Sequence, residues 1–249
     1  MNMHRAHFVR VSSTNELAKS MVDSGQEPPF VVTADTQTHG RGRRGRTWTS
    51  DLGGVWMTLV VHASGSTSQV PLLTGLAVAE TIEAETEKSA LIKWPNDVLV
   101  RGAKVAGILC EREHKGDVAG PLVIGVGGNV NNPPPAGELV IPATSVADLA
   151  ERPVDLETFT TGLVERVVQT IDSYAADPSD AWLDAINDRL AYRDQVVTLS
   201  AEGRADEVGS VRRVAPDGSL VVEVDGAERA VMSGAVSLRA CATENGVVR

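Results

Sequence analysis

Cysteine is scarce in this 249-residue chain, with Cys110 and Cys241 the only two. They make no disulfide framework and lack the spacing of a metal site, so a reducing compartment, the cytoplasm, is expected. Aromatic residues are also few, at 4 %, which leaves little for stacking nucleic-acid bases. Positive charge is outnumbered: 23 Lys and Arg face 33 Asp and Glu, a net charge of −10. Such a field repels polyanions and argues against general binding to DNA, RNA or an anionic membrane. No apolar run is long enough to cross a bilayer. The opening MNMHRAHFVRVSSTNE has no apolar core of signal-peptide length. Lysine is sparse as well: Lys19, Lys88, Lys93, Lys104 and Lys115 are the only five. A lysine inside an apolar segment therefore raises a question.

What is present is an ordinary globular balance of 42 % hydrophobic and 22 % charged residues, enough for one large domain plus a small appendage. SSTN (12–15) opens a helix, with Ser13 and Glu16 at capping-box spacing and Leu17, Ala18, Met21 and Val22 at helical period. FVVTA (30–34), VWMTLVV (55–61), ALIKW (90–94), VLV (98–100), KVAGILCE (104–111) and PLVIGVGGNV (121–130) read as strands, and 90–111 suits an antiparallel meander. Residues 70–87 and a block from Leu156 to Ile171 read as helices, and Asp180 caps a further one. NNPPPAGELVIP (131–142) cannot be a regular element. From Tyr192 onward, short strands punctuated by turns give the pattern of a small β-barrel. A boundary near Ala191 follows, dividing the chain into 1–191 and 192–249.

One segment carries unusual charge. GRGRRGR (40–46) places four arginines and three glycines in seven positions. Gly40-x-Gly42-x-x-Gly45 formally matches a dinucleotide-binding fingerprint, but its context is wrong. The strand before it stops early, TWTS is a poor helix start, and no acid lies about 20 residues on. A Walker A loop is excluded because no Gly-Lys-Ser/Thr ends the run. A solvated surface loop is the ordinary reading of such a stretch. Against it, Arg41, Arg43, Arg44 and Arg46 repel one another with no acid before Asp51, and the glycines make ordering costly. The segment is expected to be mobile alone and to close over an anion that several guanidinium groups can share, with Trp48 covering an apolar part of the ligand.

STN (13–15), Q-x-x-GRGRRGR-x-W (37–48), KWPND (93–97), K-x-AGIL (104–109) and GxGxN (125–129) occur in an order and at spacings that resemble the biotin protein ligases. The resemblance covers nearly the whole chain. It implies an α+β fold: a mixed α/β catalytic domain around a β-sheet, then a small SH3-like β-barrel. It also implies a two-step reaction, in which biotin and MgATP form biotinyl-5′-AMP and the biotinyl group then passes to a lysine of a biotin carboxyl carrier domain.

Residue by residue, the resemblance assigns the biotin site to Ser13, Thr14, Asn15, Gln37, Gly40, Arg41, Gly42, Arg43, Trp48, Lys104 and Gly107. The first four suit a neutral ureido ring. It assigns ATP or the adenylate to Arg43, Arg46, Lys93, Asn96, Lys104, Asn129 and Asn131, with Arg43 and Lys104 as the catalytic cations. Lys104 reads as sharing a strand face with Ala106 and Ile108, which aims it into a site. Lys93 either supports the same charge or pairs with Asp97. Leu139, Val140 and Ile141 are expected to pack over the adenine. The side chains that hold Mg²⁺ are not identified. Some bacterial relatives are also repressors with an N-terminal helix-turn-helix. Here STN begins twelve residues in, so a ligase without DNA binding is expected, as a monomer or weak homodimer. Two other readings stand beside this one, a lipoate or octanoate ligase and a regulator that holds biotinyl-AMP without transferring it.

Overall fold

Short apolar stretches set the first layer. The computed structural model describes residues 3–62, 68–115, 118–132, 141–177, 180–200, 205–232 and 237–240. Seven strands, β1 (His4–Val11), β2 (Phe30–Gln37), β3 (Val55–Val61), β4 (Ala90–Lys93), β5 (Asp97–Val100), β6 (Ala103–Lys115) and β7 (Val118–Gly128), form a sheet in the order β1-β2-β3-β7-β6-β5-β4. Only β1 and β2 run parallel; the other neighbours are antiparallel.

Alternation along the strands sorts side chains between two faces. Val31, Met57, Leu59, Ile108, Leu122, Ile124 and Val126 join one core with Leu72 and Leu76 of α2 (Val70–Thr86) and with Phe159 and Val167 of α4 (Leu156–Ala176). Their neighbours Phe30, Val32, Val60 and Val123 point the other way and bury Leu17, Ala18 and Met21 of α1 (Thr14–Asp23). Helix α2 is buried on nearly every side, between sheet and α4. Two shorter helices, α3 (Val146–Ala150) and α5 (Ala181–Asp188), complete this unit.

A second sheet follows, with β8 (Val196–Ser200), β9 (Glu207–Val214), β10 (Leu220–Val224), β11 (Ala227–Val231) and β12 (Ser237–Ala240) in the order β11-β10-β9-β8-β12, all antiparallel. Its inward Val197, Leu199, Val211, Leu220, Val222 and Leu238 belong to the same core cluster as the first sheet. Polar joints reinforce that seam. Trp94 Nε1 donates to the Gly218 carbonyl at 3.0 Å, and the Asn187 amide exchanges two hydrogen bonds with the Val214 backbone at 2.7 and 3.2 Å. Among the described residues no helix is long and apolar enough to cross a membrane.

The expected strands of the 90–111 meander, the two long helices and the short strands after Tyr192 all form. Four details differ. Strand β1 was not expected: all eight of its residues are exposed or half-exposed without alternation, as suits an edge strand lacking a buried face. Strand β2 continues to Gln37, closer to the Arg/Gly segment than its sequence suggests. Helix α3 is a single turn fixed by its cap, Ser145 Oγ accepting from Asp148 N at 3.1 Å. Ser13 stands at the N-cap of α1, but its hydroxyl makes no capping bond, so the expected capping box does not form. Of the 131–142 segment, Leu139 and Val140 lie outside the described residues.

Candidate active site

Three glycines open the site. Gly107 of β6 pairs with Gly127 of β7, and Gly125 lies between Thr58 of β3 and Leu109 of β6. All three present their missing side chains on the face that carries α1, which leaves a shallow floor in the middle of the sheet. A Cβ at Gly125 would stand 2.2 Å from Asn15 Oδ1, and one at Gly127 would stand 2.8 Å from Trp48 Nε1. One at Gly107 would touch the Trp48 ring at 3.0 Å. Above this floor lies a cavity of ≈ 480 Å³, in the range of small-molecule sites.

One end of the cavity is neutral and tightly hydrogen-bonded. Thr14 N donates to Gln37 Oε1 at 2.8 Å, and Gln37 Nε2 donates to Ser50 Oγ at 2.8 Å. Thr58 Oγ1 lies 2.9 Å from Thr14 Oγ1 and 2.6 Å from Asn15 Oδ1. Asn15 Nδ2 donates to Glu111 Oε2 at 2.8 Å, and Lys19 Nζ holds the other oxygen of Glu111 at 2.9 Å. The α1 N-terminus thus brings Ser13, Thr14 and Asn15 to the cavity in a fixed pose, each less than 5 % exposed.

The other end is cationic. Arg41, Arg43, Arg44, Arg46, Lys93 and Lys104 line the cavity, against Asp97 as the single lining carboxylate among the described residues. Lys104 Nζ lies 2.6 Å from Asp97 and 4.9 Å from the centre of the Trp48 ring, a cation–π contact. Lys93 is 8 % exposed, and burial pushes its ammonium below the usual lysine range despite Asp97 at 3.9 Å. Burial, then the neighbouring Arg44, similarly lowers the Arg43 guanidinium, whose Nη1 donates to Asn96 Oδ1 at 3.0 Å. Asn96 in turn donates to the Ile108 carbonyl at 2.9 Å, clamping KWPND onto β6.

The Arg/Gly segment folds as a short hairpin. Trp48 N donates to the Gly40 carbonyl at 2.8 Å and Gly42 N to the Arg46 carbonyl at 2.7 Å. Arg43–Gly45 forms a 3₁₀ turn at the tip, with Arg44 and Gly45 at positive φ. This is a small hairpin, not a helix start, so the dinucleotide fingerprint fails on structure as well. Gly40 is required inside it, since a Cβ would come 2.4 Å from the Trp48 carbonyl. Arg41 ties the hairpin to α1 through Glu16 at 3.0 Å. The Trp48 Nε1 is buried without a hydrogen-bond partner among the described residues.

Of the residues singled out from the sequence, Ser13, Thr14, Asn15, Gln37, Arg41, Gly42, Arg43, Arg46, Trp48, Lys93, Asn96, Lys104, Gly107 and Asn129 line the cavity. Gly40 stands behind them. Asn131 does not reach the cavity: both ends of its amide are taken by the Val154 backbone, at 2.8 and 2.9 Å, so it is a strut for the chain before α4. Asn129 lines the cavity while its amide donates to the Thr144 carbonyl at 3.3 Å. Lys104 points inward for a reason other than the one expected. A bulge shifts the β5–β6 register between Val98 and Leu99, so Lys104 shares its face with Gly107, 3.4 Å from that residue's Cβ position, while Ala106 and Ile108 face the helices. Sequence reading passed over Thr58, Glu111, Gly125 and Ser50. Gly125 was visible as the first glycine of GxGxN; the others carry no local signal. Ile141 and, from the second sheet, Leu238 close the cavity's rim.

Residues 7–129 match the biotin/lipoate A/B protein ligase family. The bifunctional ligase/repressor BirA of Bacillus subtilis is 37 % identical over 62 % of this chain and 50 % of its own length. The chain thus spans about half the length of the Bacillus relatives it matches. The biotin–[acetyl-CoA-carboxylase] ligase of Mycobacterium tuberculosis is 34 % identical over 91 % of this chain and 86 % of its own. Among solved structures, the biotin protein ligase from Aquifex aeolicus in complex with biotin and ATP is similar with a TM-score of 0.84 at 27 % identity, covering 96 % of this chain and 99 % of that one. A mixed α/β unit with a seven-stranded sheet, a second antiparallel sheet and a cleft over its glycines accords with these likenesses, and the chain belongs to the biotin/lipoate A/B protein ligase family.

Proposed function

We propose that the chain is an ATP-dependent ligase that activates biotin as biotinyl-5′-AMP and transfers it to one lysine of a biotin carboxyl carrier domain. The observation that carries this reading is one cavity with two unlike ends, a neutral hydrogen-bonding end at α1 and a cationic end at KWPND. Biotin is a neutral ureido bicycle joined to a carboxylate by an aliphatic chain, and it fits that polarity lengthwise. Its ring sits with Ser13, Thr14 and Gln37, and Asn15 holds these in place. The glycine floor and Trp48 flank its apolar body, and its carboxylate reaches Lys104 and Arg43.

In the first step a carboxylate oxygen attacks the α-phosphorus of ATP, and the bond to the pyrophosphate oxygen breaks. Both partners and the leaving group are anions, so fixed cations and close positioning supply much of the acceleration. Lys104 and Arg43 stand where charge builds on the α-phosphoryl group. Lys93, Arg46 and Asn96 serve the phosphates, and Asn129 serves the nucleoside. Asn131 is withdrawn from that set. In the second step the carrier amine attacks the anhydride carbonyl, the bond to AMP breaks, and the amine gives up a proton. Water must be kept from the anhydride meanwhile, a task for the hairpin and Ile141. Mg²⁺ enters with ATP. The ion would neutralise phosphate charge there; Asp97, the single lining carboxylate among the described residues, pairs with Lys93 and Lys104 and is assigned no part in holding it.

We assign 1–191 to the catalytic domain and 192–249 to an SH3-like domain. The protein is taken as cytoplasmic, a monomer or weak homodimer, without a DNA partner. Exchange of labelled pyrophosphate into ATP, followed with biotin, lipoate or octanoate, tests the activation step. Exchange is expected with biotin, and exchange with lipoate alone overturns the reading. Label transfer to a carrier-domain lysine then separates a ligase from a regulator that only holds the adenylate.

A further inference from the structure

The hydrogen bonds around Thr58 hold more oxygen–oxygen contacts than hydroxyl protons, and the partners of Asn15 decide how those protons are shared. Three oxygen–oxygen contacts run in series: Asn15 Oδ1 to Thr58 Oγ1 at 2.6 Å, Thr58 Oγ1 to Thr14 Oγ1 at 2.9 Å, and Thr14 Oγ1 to Gln37 Oε1 at 3.1 Å. Two hydroxyl protons must serve all three. The outcome is decided at Asn15. A carboxylate only accepts, so Glu111 demands the NH₂ end of the Asn15 amide, and the Leu109 carbonyl, 3.4 Å from Nδ2, agrees. Asn15 Oδ1 therefore faces Thr58 and takes its proton. Thr14 Oγ1 then has two acceptors in reach, Thr58 Oγ1 at 2.9 Å and Gln37 Oε1 at 3.1 Å, and its proton is placed on the shorter contact, since Gln37 Oε1 already takes an N–H. The longest contact goes without a proton. Gln37 Oε1 is compensated by Thr14 N at 2.8 Å.

The result at the cavity wall is a pair of acceptor oxygens, Thr14 Oγ1 and Gln37 Oε1, 3.1 Å apart with no proton between them. We propose that Glu111 is a positioning residue that sets this polarity, so that the site selects a ligand carrying an N–H at that point. A ureido ring presents such an N–H, and the dithiolane of lipoate does not. The proposal rests on the biotin reading and deepens it. It also gives Glu111 a task beyond its ion pair with Lys19.

Lys19 provides the discriminating test. In Glu111→Gln, the oxygen of the new amide is drawn to the Lys19 ammonium, which only donates, and its NH₂ is turned toward Asn15. Donor then meets donor. Asn15 turns round or lets go, and the proton order reverses or blurs. In Lys19→Met/Glu111→Gln that pull is gone, so the amide oxygen can face Asn15 and the original order returns. Pyrophosphate exchange gives KM for biotin, KM for ATP and kcat, and melting temperatures verify folding.

Glu111→Gln is expected to raise the biotin KM about tenfold, a lost hydrogen bond's worth, with the ATP KM within about twofold. Lys19→Met alone stays near the unmodified chain, and the double variant returns to within about threefold of it. Thr58→Val, which keeps shape and removes the middle hydroxyl, raises the biotin KM like Glu111→Gln and serves if the Glu111 variants fail to fold. The proposal is overturned if the double variant is no better than Glu111→Gln, or if Glu111→Gln or Thr58→Val binds biotin normally. Failure of the ligase reading would show differently, as absence of biotin-dependent exchange in the unmodified chain.

Discussion

At the α1 end of the cavity, Thr14, Asn15, Gln37 and Thr58 hold one another in hydrogen bonds of 2.6 to 2.9 Å. At the KWPND end, six lining cations stand against Asp97. The first end spends its polar groups on its own geometry and presents the ligand with a finished surface. Little is left to reorganise on binding, which suits recognition of a neutral ring whose individual hydrogen bonds are each worth only about 1 kcal/mol. The second end lines the cavity with more cations than carboxylates among the described residues, a surface complementary to a polyanion. Specificity and catalysis are thereby placed on different residues within one cleft.

The sharpest way to break this division is Lys104→Ala. Adenylate formation is expected to fall roughly 10²–10³-fold, as when one fixed electrostatic group is lost from a transition state, while calorimetric biotin affinity falls by no more than about tenfold, the loss of one contact to the carboxylate. Arg43→Ala behaves likewise. A large loss of biotin affinity in either variant would mean that the two ends are not separable. Gly125→Ala probes the opposite end. Its Cβ would stand 2.2 Å from Asn15 Oδ1 and 3.0 Å from the rest of the amide, so Asn15 must leave its place. A biotin KM raised about tenfold and a stability loss of about 1–3 kcal/mol are expected, with the ATP KM unmoved. Steady-state exchange kinetics and a urea melt measure both.

The cationic end was the more legible in sequence, and the physical reason is locality. GRGRRGR and KWPND concentrate rare chemistry in consecutive residues, so their character survives without knowledge of the fold. Thr58 and Glu111 work only because β3, β7 and β6 set Thr58, Gly125 and Leu109 in one row, a pairing that no stretch of sequence announces. Lys104 shows the same limit from the other side. Its inward aim follows from a bulge that breaks the alternation, whereas unbroken alternation would have put it among Ala106 and Ile108. Glu16 was read as half of a capping box, yet it ties Lys19 and Arg41 together. Asn131 sits close in sequence to Asn129 but belongs to a different joint. Helices and buried strands were recoverable because their apolar periods are long, and β1 was not because it buries almost nothing.

Lys93 offers a gentler contrast, between charge kept for a ligand and charge kept for the fold. Burial holds its ammonium below the usual lysine value of 10.5. The folded chain therefore releases that proton more readily than the unfolded chain does. Between the lowered value and about 10.4 the unfolded state binds more protons, so the Lys93 contribution to stability rises with pH. Below the lowered value the penalty is complete. Lys93→Met removes it and leaves Asp97 paired with Lys104 at 2.6 Å. At pH 7 the variant is expected to be more stable by on the order of 1 kcal/mol while binding ATP more weakly. The gap in melting temperature should narrow as pH approaches 10.5. A gap that stays constant across that range would remove the burial argument, and a variant with normal ATP affinity would take Lys93 out of the site.

The smallest effect compares two helix starts. Asp155 caps α4 in the ordinary way, its carboxylate accepting from Thr158 N at 2.8 Å, a bond that also holds its carboxyl below the usual range. Ser13 occupies the same position on α1 without making that bond, although it is 97 % shielded from solvent by its 3 % exposure. If its hydroxyl is kept for the ligand, Ser13→Ala costs only a few tenths of a kcal/mol in stability, below the usual N-cap loss of about 1 kcal/mol. It should nevertheless weaken biotin binding severalfold. Asp155→Ala should do the reverse, lowering the melting temperature as loss of an N-cap does with exchange kinetics unchanged. Melting curves and biotin titrations on the two variants give a two-by-two result. A Ser13→Ala loss as large as that of Asp155→Ala, with biotin affinity intact, would return Ser13 to an ordinary cap and leave Thr14 and Gln37 to hold the ring.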